Sequence, residues 1–141
     1  MVERTAEEID ELVDECHQFL KEVARRKGLT SYTELNAVLA RRTGQPMFDF
    51  QQAEERNRIA RVLETANARE MEGGAYYMLT ALVKYLNDNN AGPGFFALAQ
   101  RLGDKLDHKL HEHASSEAKL VFWATQCEAA HAAYARRRTT A

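Results

Sequence analysis

Ile9, Leu12, Val13, Cys16, Leu20 and Val23 recur at the spacing of a helix turn, which predicts an amphipathic helix over residues 5–27. Thr5 followed three residues later by Glu8 is a capping-box pair at its start. Acidic residues crowd the first turns, Arg25, Arg26 and Lys27 sit at the end, and Gly28 supplies the stop. A second, shorter helix opens on Ser31 with Glu34 in the reciprocal position. It presents Leu35, Val38 and Leu39 to the core and ends at Gly44, with Pro46 just beyond. Met47 and Phe48, in the link that follows, are expected to dock on the core. A third helix is predicted from about Phe50 to Glu72, with Asp49 as its cap and Ile59, Val62, Leu63 and Ala66 as a narrow apolar stripe.

After the Gly73-Gly74 break the pattern fits two periods. Leu79, Leu82, Val83 and Leu86 fit a helix, whereas Tyr77, Leu79, Ala81, Val83 and Tyr85 fit a strand. The glycine pair before it and the turn cluster Asn87-Asp88-Asn89-Asn90 after it favour a strand over residues 76–84, in a hairpin. Phe95, Phe96, Leu98, Ala99 and Leu102 form a short helix ending at Gly103. A polar connector follows. Ser115 or Ser116 then caps a last helix whose stripe is Leu120, Trp123, Ala124, Cys127 and Tyr134. These elements predict one mainly α domain over residues 1–141, with about five helices and a small β-hairpin. Trp123, Phe96, Leu82, Leu39, Leu12 and Val62 are expected to meet in its core.

Composition supports a folded chain. Of 141 residues, 45% are hydrophobic and 28% charged, enough to build a core and too apolar for a disordered tail. The net charge of -2 excludes a strongly basic nucleic-acid coat but leaves room for a local basic patch. No apolar run reaches the roughly 20 residues of a membrane span. The start, MVERTAEEIDEL, has neither the basic opening nor the apolar stretch of a signal peptide, so a cytoplasmic location is expected. Cys16 and Cys127 are too few for a disulfide framework.

Enzyme signatures are missing. There is no G-x-S-x-G elbow, no G-x-x-x-x-G-K-S/T phosphate loop and no H-E-x-x-H. Cys16 and His17 are neighbours on a helix and point apart. His108, His111, His113, Cys127 and His131 have ligand chemistry. The three clustered histidines nevertheless read as a solvated connector and Cys127 as a core thiol, so no metal and no cofactor is expected. The third helix carries the most informative pattern. Arg58, Arg61 and Arg69 fall near one face with Asn57 and Asn67 nearby, and Arg and Asn are the side chains that read guanine and adenine edges. Arg41, Arg42 and Lys84 are placed to grip phosphates. The same arginines also fit an exposed, salt-bridged helix, since Glu54 and Glu55 precede Arg58 at pairing distance.

The order of elements over residues 31–96, with a helix opening on Ser31-Tyr32-Thr33-Glu34-Leu35, resembles a winged helix-turn-helix. It is similar to the DNA-binding domain of methylated-DNA cysteine methyltransferases. The reactive Pro-Cys-His-Arg motif of that family is absent, so the resemblance implies a fold and not repair chemistry. The SYTEL start, Met78-Leu79-Thr80-Ala81-Leu82-Val83, Gly92-Pro93-Gly94-Phe95-Phe96 and Phe122-Trp123 together also resemble a group of small uncharacterised bacterial and phage proteins. The expected function is therefore non-catalytic. One reading is a winged-helix-like DNA-binding or regulatory protein using Asn57, Arg58, Arg61, Arg69, Arg41, Arg42 and Lys84. The other is a protein-protein interaction module, a phage or bacterial factor modulating a partner, with a homodimer left open. Residues 1–15 favour the second, because they hold seven carboxylates against Arg4 alone and would repel DNA.

Overall fold

The computed structural model describes residues 2–85 and 91–139, the last four of these as backbone only. The turn cluster expected at residues 87–90 lies outside the described residues. Helix α1 spans Ala6–Arg25 and starts as its sequence predicts: the Thr5 hydroxyl accepts from the Glu8 amide, and the Glu8 carboxylate accepts from the Thr5 amide at 2.8 Å. Its end differs in detail. Lys27, not Gly28, takes the left-handed conformation (φ 55°), while the Gly28 amide reaches back to the Val23 carbonyl and closes the last turn. Strand β1, Thr30–Ser31, leads directly into helix α2, Tyr32–Thr43, capped by the Ser31 hydroxyl and stopped by Gly44 at φ 74°. Glu34 does not complete a capping box. Its carboxylate accepts from the Thr30 hydroxyl instead.

Helix α3 is Ala53–Glu72, three residues shorter at its start than predicted. The Asp49 carboxylate is taken by the Gln51 amide and the Gln52 side chain, so it caps a turn ahead of the helix rather than the helix itself. In the preceding link Phe48 is buried, clamped by Asn36 through hydrogen bonds to both its amide and its carbonyl. Met47 is 58% exposed and does not dock.

The expected strand over residues 76–84 is mostly something else. Leu79–Leu82 form a 3-10 turn, and only Val83–Lys84 form strand β2, which runs parallel to β1 with Thr30 opposite Val83. The small two-stranded sheet is present, but it joins segments far apart in sequence instead of closing a hairpin. Leu79, Thr80, Ala81 and Leu82 are all buried, so neither period marks an outer face. The backbone of this segment is bonded to side chains instead of a neighbouring strand. The Met78 amide donates to Gln126, the Thr80 amide to Asn67, and the Ala81 carbonyl accepts from Trp123 Nε1 at 2.7 Å.

Helix α4, Pro93–Leu102, begins with proline at its first position, where the missing amide has no consequence. A polar connector anchored by buried Leu106 and Leu110 leads to α5, Ser116–Thr139, capped by Ser115. The buried stripe of α5 is broader than the predicted one. It runs through Phe122, Trp123, Gln126, Cys127, Ala130, Ala133 and Tyr134, while Leu120 and Ala124 face outward. Among the described residues there are thus five α-helices around one apolar core, with α1 packed against α2, α3, α5 and the 3-10 turn. Of the six expected core residues, Phe96 is only partly buried at the edge. No helix among the described residues is long and apolar enough to cross a membrane.

Candidate functional site

The predicted nucleic-acid residues lie on α2, α3 and β2, and three of the seven, Arg58, Arg69 and Arg42, are already engaged with carboxylates. Arg58 is half-buried, donates to the Val2 carbonyl and lies 3.5 Å from the Glu55 carboxylate. Arg69 pairs with Asp14 of α1. Arg42 forms a forked pair with Glu22 at 2.9 Å on both nitrogens, with Glu15 at 3.7 Å. That guanidinium, bonded through its side chain, holds the Glu22 carboxyl below its ordinary range against the weaker effect of burial. The acidic outer face of α1 therefore takes up arginines from both α3 and α2. Arg61 and Arg41 are exposed, and Lys84 is half-buried on β2. Asn67, expected beside the arginines, is buried and bonded to Thr80.

Asn57 belongs to a different site. Together with Arg56 it borders a groove of about 250 Å³ between α2, α3 and the start of α4. Three rings shape the groove. Tyr32 opens α2, Phe50 precedes α3 and Tyr85 follows β2; Tyr32 stands edge-on to each of the others, with centroids 6.3 Å apart. Ile59, Ala60 and Pro93 add to its apolar lining. Burial, reinforced by neighbouring Tyr85, pushes the Tyr32 phenol up to about 12, so it stays neutral. Tyr85 is 42% exposed at the mouth. Arg56, whose guanidinium donates to the Phe50 carbonyl, is the one charged residue lining this groove among the described residues.

The acidic residues of α3 are not all solvated, as the pattern suggested. Glu70 is buried and accepts from His17 Nε2 at 2.8 Å and from the hydroxyls of Tyr77 and Tyr134 at 2.7 Å each. Burial alone would raise its carboxyl, but the three hydrogen bonds outweigh it and hold the group below its ordinary range. Glu55 is equally hidden, between Arg58 and Arg4. Arg4 is the one cation of the acidic first fifteen residues. Its side chain is 2% exposed, with its guanidinium 4.2 Å from the Phe48 ring centre. Only the Glu55–Arg58 pair is legible in the spacing; Arg4, His17 and Tyr134 come from distant parts of the chain.

The histidine and cysteine pattern resolves into separate structural contacts. His131 Nε2 lies 2.9 Å from the Gly28 carbonyl, and the Cys127 thiol points to the Ala81 carbonyl. Among the described residues, no three His, Cys, Asp or Glu side chains come together to hold a metal ion. Burial pushes both Cys16 and Cys127 up to about 12, which keeps them protonated and poorly nucleophilic. No family model, no curated protein and no solved structure matches the chain.

Proposed function

We propose that this chain is a non-catalytic interaction module of the cytoplasm that docks an extended segment of a partner protein. The observation that carries the reading is the groove of Tyr32, Phe50 and Tyr85, an apolar aromatic slot whose only charged lining residue among those described is Arg56. Aromatic-lined grooves hold extended peptides, proline-containing ones in particular, because the rings grip side chains at little cost in entropy. Arg56 selects a segment in which an acidic residue lies beside an apolar one. DNA binding through α3 has weaker support, since Arg58, Arg69 and Arg42 already face carboxylates.

A displayed peptide library decides between them. Selection on the full chain should enrich sequences with an apolar or proline residue beside Asp or Glu, and Arg56→Glu or Tyr85→Ala should abolish their binding. Failure to enrich any such sequence would sink the docking reading. Salt-dependent duplex binding, lost in Arg58→Ala and Arg61→Ala, would replace it with the DNA reading.

A further inference from the structure

A second cavity, of about 420 Å³, lies away from the aromatic groove, between the amino-terminal segment, α1 and α3. Its floor is apolar, built from Ile9, Val13 and Val62. Its wall is cationic, with Arg4, Arg58 and Arg61. Two carboxylates oppose them, Glu3 at the lining and Glu55 behind it, which leaves an excess of positive charge. Arg61 is exposed and has no ion-pair partner among the described residues. The Arg4 side chain is buried, yet only one of its nitrogens is hydrogen-bonded, Nη2 to the Pro46 carbonyl. Nε and Nη1 have no hydrogen-bond partner, and Nη1 stops 3.7 Å short of Glu55.

We propose that this cavity binds a small amphipathic anion, an oxyanion head of carboxylate or phosphate type on an apolar tail. Guanidinium groups match such heads in planar, forked hydrogen bonds. A partly enclosed site strengthens the attraction over that in open water. The Thr65 hydroxyl is already committed to the Arg61 carbonyl, so the arginines alone read the head. The floor offers no polar partner, which is why an apolar tail is needed as well. A fully polar ion leaves the floor empty, and a neutral alcohol leaves the arginines unmatched. This inference is independent of peptide docking, because the two cavities share no residue.

The test is a titration of the full chain, followed by backbone amide resonances, with octanoate, octyl phosphate, 1-octanol and inorganic phosphate. At least one of the first two should saturate and move the Ile9, Val13 and Val62 signals, with affinity about tenfold or more above that of octanol and of inorganic phosphate. The tighter of the two names the head group. Arg61→Gln should weaken it by about tenfold without changing the melting temperature. Arg101→Gln, which breaks a pair with Glu64 elsewhere, should leave it unchanged. The proposal is overturned if octanol binds as well as octanoate and octyl phosphate, if Arg61→Gln has no effect, or if neither anion saturates at these signals.

Discussion

The ring of Tyr85 occupies the space where a side chain on Gly92 would begin: a Cβ there would lie 2.5 Å from Tyr85 Cδ2. Gly92 has an ordinary backbone conformation, so this glycine is needed for room and not for its dihedral freedom. Gly92→Ala should push the ring out of the aromatic groove and cost about 1–3 kcal/mol of stability. Gly94, which has nothing within 4 Å, should accept alanine with a gain of about 0.5 kcal/mol in the first turn of α4. Denaturant titrations of the two variants test the contrast. Equal stabilities would show that the Tyr85 packing is not rigid.

The Glu70 cluster makes stability depend on acid. A carboxyl held below its unfolded value in the native state stabilises the fold above that unfolded value, and the contribution is lost as the pH falls through the folded one. Glu70→Gln should therefore lower stability by about 1–3 kcal/mol at pH 7. The gap to the parent chain should begin to narrow below about pH 4.3, where the carboxyl of the unfolded chain takes up its proton, and close as the pH falls through the lower native value. Melts between pH 3 and 7 check this, and a gap independent of pH would contradict it.

Arg4 should matter far more than its place in an acidic stretch suggests. Arg4→Met keeps contact with Phe48 but leaves Glu55 with Arg58 as its remaining cation, at an expected cost of about 3 kcal/mol. Combining it with Glu55→Gln should restore part of that loss, since no buried charge is then left uncompensated. A double-mutant cycle with no coupling would disprove the pairing.

Lys27 pays a steric penalty at φ 55° that glycine would not. Lys27→Gly should raise stability by up to about 1 kcal/mol, the gain being limited by the greater freedom of glycine in the unfolded chain. A fall in melting temperature on making this change would show that the Lys27 side chain contributes more than its backbone costs.

The sequence was informative wherever a helix had one wet and one dry face. Leu12, Val13, Cys16, Leu20 and Val23 form the buried stripe of α1, and the Thr5–Glu8 and Ser31 caps lie where their spacing put them. It was uninformative where an element is enclosed on all sides. Met78, Leu79, Ala81 and Leu82 are buried whatever the local conformation, so alternation and helical spacing fit equally well. The buried polar contacts were illegible for a related reason. Glu70 reads as a surface acid until His17, Tyr77 and Tyr134, from three other segments, are brought against it. The aromatic groove had a weak trace in Tyr32, a bulky ring at the first position of a capped helix, but its partners Phe50 and Tyr85 lie just outside α3 and β2, so no shared period ties the three rings together.

The 3-10 turn gives the last helix a role in biosynthesis. Met78 and Ala81 find their hydrogen-bond partners in Gln126 and Trp123, which are made more than 40 residues later. Until α5 emerges from the ribosome, this apolar segment keeps unmet backbone groups and is covered on one side only, by α1 and α3. Nascent chains halted before Trp123 should therefore be sticky and prone to capture by chaperones. Those extended through α5 should close around the turn in a single late step.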